Sequence, residues 1–184
     1  MTTYTQSFTK LYGSIFKAIL LGTLLLTYTG KNPAQEKSFA GDMEVRQRVA
    51  DIINGAIKRS EFVLEDGTKI SQRALPSDEE AQEVKQFGDK AVPILAEYLN
   101  SQNSAQKTLA MRLLGYIGSE SIVKPLENVA TKDPSPDVRI LALTWLTQAP
   151  WEKAYPVIRK ASEADRSKQV RRRASELLIQ YTPK

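Results

Sequence analysis

The side chains able to do chemistry in this chain form a restricted set. Its 184 residues include no cysteine and no histidine. Thiolate nucleophiles, disulfides, and the commonest general base and metal ligand are therefore all excluded. Carboxylates gather in two places, Glu79, Glu80 and Glu83, and Glu65 with Asp66. The first group opens a helical pattern, where acids complement the helix dipole. The second lies in an Asp-Gly turn, which needs no further reason for its acid. Neither marks a pair at catalytic separation. No phosphate loop, dinucleotide fingerprint or serine elbow is present. The expectation is a chain without catalytic residues, metal or cofactor, and so not an enzyme.

Cations and aromatics cluster more clearly. Arg159, Lys160, Arg166, Lys168, Arg171, Arg172 and Arg173 fall within residues 159–184, which carry a net +5 of the chain's total +5. Residues 1–40 carry +3, so the body from 41 to 158 is acidic, at −3. Such a cluster reads either as a phosphate-backbone contact surface or as the solvated face of a last helix. Trp145, Trp151 and Tyr155 surround the turn Thr147-Gln148-Ala149-Pro150-Trp151. Trp145 falls on an apolar stripe and reads as packing. Trp151, beside Pro150 at a helix start, reads as a partner anchor, with packing on a neighbouring repeat as the alternative.

These residues sit on an internal repeat. With a shift of 32, Gln106-Lys107, Val138-Arg139 and Val170-Arg171 superimpose, as do Ala110, Ala142 and Ala174, and Leu114, Leu146 and Leu178. A second helix accompanies each first one, marked by Ala91-Val92-Pro93, Val123-Lys124-Pro125 and Ala154-Tyr155-Pro156, whose prolines are 32 and 31 residues apart. Val138, Leu141, Ala142, Trp145 and Leu146 hold i, i+3, i+4, i+7, i+8 spacing, one apolar face of a helix. Two helical patterns per fixed period predict a helical solenoid. Ser135 is expected to cap the helix that begins at Pro136. Gly118 is expected to end the preceding helix pattern and Ser119 to start the next.

The run Asp133-Pro134-Ser135-Pro136-Asp137-Val138-Arg139, with Ala142, Leu146 and then a helix with Ala154-Tyr155-Pro156, resembles HEAT or HEAT-like repeats over about residues 76–181. It is most similar to the short bacterial type, also seen in phycobilin-lyase-like proteins. The resemblance implies an all-α fold, a right-handed α-α superhelix of about three and a half repeats. It also implies a scaffold or adaptor with a protein or peptide partner, exposed ridges and turns doing the recognising. On that basis the expected partner-binding residues are Arg139, Trp151, Arg171 and Arg172. A second reading is nucleic-acid binding or base repair by the basic C-terminal helix, as in HEAT-like DNA glycosylases. A third is bilin-lyase-like action on a small molecule, whose mark would be a deep pocket lined by acidic or aromatic side chains.

Three segments divide the chain. Residues 1–30 have no acid, with Lys10 and Lys17 ahead of the apolar run Ala18–Leu26. This predicts a signal peptide or N-terminal membrane anchor, hence an exported or membrane-attached protein, with a buried first helix of a cytoplasmic protein as the alternative. Residues 31–41 read as a linker, and 42–184 as the repeat domain, opening with a helix over Asp42–Arg59. Within it Phe62-Val63-Leu64 and Lys69-Ile70, either side of Asp66-Gly67, predict a small hairpin in the Glu61–Gln72 insertion. Ser77 and Glu80 predict a capping box, and the last helix, about Ser167–Tyr181, a polar cap to the array.

Overall fold

A computed structural model describes residues 33–181 apart from 64 and 67. The predicted signal or anchor segment, residues 1–30, lies outside them. Helix α1 spans Pro33–Ser60. It therefore runs back through the residues whose composition reads as a linker, because Pro33 suits a helix start and Ala34, Gln35, Glu36 and Lys37 are good helix formers. The chain divides into two units, Met1–Asp42 and Met43–Lys184. In the second unit α1 buries Val45, Val49, Ile52, Ile53 and Ala56, a stripe at helical spacing. Arg46 pairs with Glu97 and Arg48 with Glu83, both bidentate, and Arg59 with Glu80. These exposed pairs fix orientation more than they add stability.

The insertion forms the expected hairpin. Strands β1, Glu61–Val63, and β2, Lys69–Ser71, pair antiparallel with Phe62 opposite Ile70. The Asp66 carboxylate accepts the Thr68 N–H at 2.9 Å, which closes the turn and holds that carboxyl below its usual range. Helix α2, Asp78–Phe87, opens on the predicted capping box: the Ser77 hydroxyl accepts from the Glu80 N–H, and the Glu80 carboxylate from the Ser77 N–H.

From α2 onward two layers alternate. Helices α3, Val92–Tyr98, α4, Ser104–Ile117, α5, Val123–Lys132, α6, Pro136–Leu146, α7, Trp151–Ala164, and α8, Lys168–Tyr181, complete three helix pairs and an unpaired last helix. Helices α2, α4, α6 and α8 pack successively as one layer, and α5 and α7 pack in the other. Leu109, Leu113 and Leu114 of α4, Leu143 and Leu146 of α6, and Leu95, Ile122, Leu126 and Ile158 between them are wholly enclosed. Each such side chain contributes about 1.5–3 kcal/mol of transfer free energy. The described domain is all-α apart from the hairpin.

Two helix ends differ from the sequence expectation. Gly118 does end α4, in the left-handed region at φ +66, which suits glycine. Ser119, however, does not cap the short helical turn after it; its hydroxyl donates to Asp89 at 2.6 Å. Ser135 likewise makes no side-chain cap. Its N–H is taken by the Asp133 carboxylate at 3.0 Å, so the aspartate does the work expected of the serine.

Candidate functional site

The turns that join one repeat to the next are built alike. Ser101, Asp133 and Asp165 stand 32 residues apart, and each side-chain oxygen accepts the N–H two residues on, from Asn103, Ser135 and Ser167, at 3.1, 3.0 and 2.7 Å. Each aspartate also takes a cation from the previous repeat, 26 residues earlier. Lys107 Nζ lies 2.8 Å from Asp133 Oδ2. Arg139 donates through Nε and Nη2 to both oxygens of Asp165, at 2.9 and 2.8 Å. Arg139 Nη1 also reaches the carbonyls of Asp133 and Pro134, at 2.9 and 3.2 Å. The result is a ladder of ion pairs linking successive turns.

This geometry corrects one expected partner residue. Arg139 is not on an exposed ridge; its side chain is 1% exposed, and that of Asp165 is 8%. A charge goes inside only when a partner and further hydrogen bonds replace its water, and here a carboxylate and two carbonyls do so. Burial pushes the Asp165 carboxyl upward. The Arg139 hydrogen bonds, the Ser167 N–H and the charges of Arg139 and Arg166 outweigh it and leave the group below its usual range. Burial also raises Asp133, and the Lys107 hydrogen bond, the Ser135 N–H and the charges of Lys107 and Arg139 bring it below.

Arg171 occupies the same slot one repeat later, at the edge of the array. Its Nη1 donates to the Asp165 carbonyl at 2.6 Å, as Arg139 donates to that of Asp133. Among the described residues no carboxylate pairs with it. Arg172 is exposed, its Nε 3.5 Å from Glu176. The rest of the basic cluster is divided among local contacts. Arg173 faces Glu176 and Arg159 faces Glu163, at 3.3 and 3.9 Å, while Arg166 donates to the Asp133 carbonyl at 2.9 Å. The seven cations are thus not held in reserve as one phosphate-facing strip.

Trp151 is the centre of an aromatic patch. Its ring meets Tyr155 edge-on at 5.7 Å and Tyr181 at 6.2 Å, bringing the start of α7 to the end of α8. Tyr155 and Tyr181 remain 37% and 38% exposed, and Arg159 lies over the Tyr155 ring at 6.0 Å. Trp145 is packed, as expected, but with a local cost the sequence reading missed. It replaces the leucine of equivalent positions 113 and 177, and Gly115 makes the room: a Cβ on Gly115 would stand 2.2 Å from Trp145 Cε3. Tyr116 packs edge-on to Trp145 at 5.9 Å, and Arg112 lies over it at 5.3 Å.

The ladder aspartates and Tyr181 are the residues that sequence reasoning passed over. A signal for the first existed in the 32-residue recurrence of Ser101, Asp133 and Asp165. The clefts are open rather than deep. One of about 300 Å³ between the C-terminal ends of α5 and α7 is lined by Ala130, Thr131, Lys160, Ala161 and Arg166 among others.

The family model described as HEAT repeats matches residues 92–179. No curated protein matches the chain. One solved structure similar to it is that of the complex of CpcE and CpcF of phycocyanin lyase from a Nostoc species, at 21% identity and a TM-score of 0.43, covering 68% of this chain and 75% of that one. The expectation that the chain is not an enzyme is corrected by that match: a solved relative of this repeat belongs to a lyase complex, so the repeat itself is no ground for excluding catalysis.

Proposed function

The chain is a HEAT-like repeat protein, and on that footing we propose that it is a repeat scaffold of superhelical form that binds a protein partner through the edge formed by α7 and α8. The observation that carries this reading is the aromatic patch of Trp151, Tyr155 and Tyr181 with Arg159 beside it. Aromatic and arginine side chains dominate binding energetics because they bury large areas while keeping a polar handle. An unpartnered patch of this kind has little to do within the fold itself. Arg172, exposed along the same helix, forms part of the polar rim. Paired affinity captures from cells of the source organism, one with wild type and one with the Trp151→Ser/Tyr155→Ser variant, test the reading. A partner retained by wild type and depleted at least tenfold by the variant supports it. Identical sets of retained proteins overturn it.

We also propose that residues 1–30 export the chain or hold it at a membrane. Lys10 and Lys17 ahead of the apolar run Ala18–Leu26 support this. Cell fractionation with intact-mass measurement is the check; a full-length chain confined to the cytoplasm would end this part of the proposal.

A further inference from the structure

We propose that Arg171 is the open end of the turn ladder and receives the carboxylate of an acidic helix-start turn on a partner protein. The inference rests on the scaffold reading and gives the partner's chemistry at a second point of the same edge. Arg171 lies ten residues before Tyr181 on α8, about 15 Å from it along the helix axis at the usual rise per residue.

Residues in this slot change together along the array. Lys107 reaches forward to Asp133, and Arg139 reaches forward to Asp165. One period before Lys107 the residue is Leu75, and its forward position, 26 residues on, is Ser101. Where the acceptor is neutral the donor is neutral; where the acceptor is an aspartate the donor is a cation. Arg171 keeps the cation. Its Nη1 makes the backward bond to the Asp165 carbonyl, matching the bond from Arg139 to Asp133. The forward side of the guanidinium, which in Arg139 grips Asp165 with Nε and Nη2, meets no carboxylate among the described residues. A planar fork already fixed at one corner loses little further freedom on receiving a carboxylate in bidentate geometry.

The surrounding face decides which occupant fits. Met111 of α4 and Leu143 of α6 are both fully buried, and the residue of α8 in that position is Ser175, exposed. Its hydroxyl turns back to the Arg171 carbonyl at 3.0 Å. The α8 face therefore does not continue the apolar stacking of the array. It offers Lys168, Arg171 and Arg172 against one acid, Glu176, and so complements negative charge. A second copy of the chain is a poor occupant, because its own ladder aspartates are already held by Lys107 and Arg139. The fitting occupant is a separate protein with an unpaired aspartate at a turn that starts a helix.

The test uses the full chain and a fluorescently labelled synthetic peptide with the sequence of residues 129–142, which carries Asp133 ahead of Pro134-Ser135-Pro136. Fluorescence anisotropy at low salt is expected to show the aspartate peptide binding at least tenfold more tightly than the same peptide with Asp133→Asn. Arg171→Gln in the chain abolishes that preference, Arg171→Lys keeps part of it, and Arg172→Gln leaves it in place. Thermal melts monitored by circular dichroism confirm that each variant is folded, and the lysine variant carries the test if the glutamine variant is not. Equal binding of the two peptides, no binding of the aspartate peptide, or a preference that survives Arg171→Gln would each overturn the proposal. Loss of partner capture through Trp151 is a separate result, so failure here leaves the scaffold reading to its own experiment.

Discussion

Arg139 and Arg171 occupy one slot of the repeat, 32 residues apart, and live in different worlds. Arg139 is enclosed, with every nitrogen of its fork engaged by Asp165 and two carbonyls. Arg171 is half-buried and bonds a single carbonyl. The same residue is therefore architecture in the interior and available chemistry at the edge. The difference comes from the groups packed beyond it. The turn of the next repeat supplies Asp165 to Arg139, and the described residues supply nothing comparable to Arg171. Trp145 and Trp151 repeat the contrast. The first fills a slot cleared by Gly115 inside the array, while the second anchors an edge patch with exposed tyrosines.

The interior rung is where this contrast is most open to test. Asp165→Ala leaves Arg139 buried without its carboxylate and is expected to cost about 3–5 kcal/mol. Arg171→Gln removes one carbonyl bond at the edge and should cost about 1 kcal/mol. At about 2–4 °C per kcal/mol for a chain of this size, calorimetric melts separate the two; equal losses would refute the distinction between interior and edge. Gly115→Ala comes next. The added methyl meets the Trp145 ring, an overpacking expected to cost about 1–3 kcal/mol. Combining it with Trp145→Leu, the residue type of positions 113 and 177, should recover much of the loss.

Acid provides a gentler probe of both rungs. Asp133 and Asp165 are lowered in the folded chain, so each binds a proton less readily folded than unfolded. Their stabilisation is complete above the unfolded value of about 3.9 and is lost as pH falls through the lowered folded values. Denaturant midpoints measured downward from pH 6 should fall in that acidic window, and Lys107→Met should flatten the part due to Asp133. The smallest effect belongs to Arg172→Ala, whose exposed pair with Glu176 predicts a melting temperature within about 1–2 °C of wild type.

The repeat was legible because its signal is local. Apolar spacing around Leu109, Leu113 and Leu114, the prolines at 93, 125 and 156, and Gly118 report helices and their ends one turn at a time. The fate of Arg139 was not, because its burial is decided by an aspartate 26 residues away, while its own type argues for the surface. Ser135 misled for a related reason: serine is a good cap in general, yet Asp133 reaches the same N–H first. Residues 33–41 look like a linker by composition, but their propensities already permit helix, and α1 takes them in. Trp151 stayed ambiguous because its exposure depends on Tyr181, brought alongside only when α8 folds back on α7.

The constant span of the ladder has a kinetic side. Each rung joins residues 26 apart wherever it lies in the chain, so adding a repeat adds neighbours without adding longer loops to close. Folding of the array should then proceed pair by pair at a rate set by one such closure rather than by total length. The link from Arg46 to Glu97 spans 51 residues, nearly twice as far. That makes the docking of α1 the slowest closure to form and places its amides among the earliest to exchange when the native protein opens.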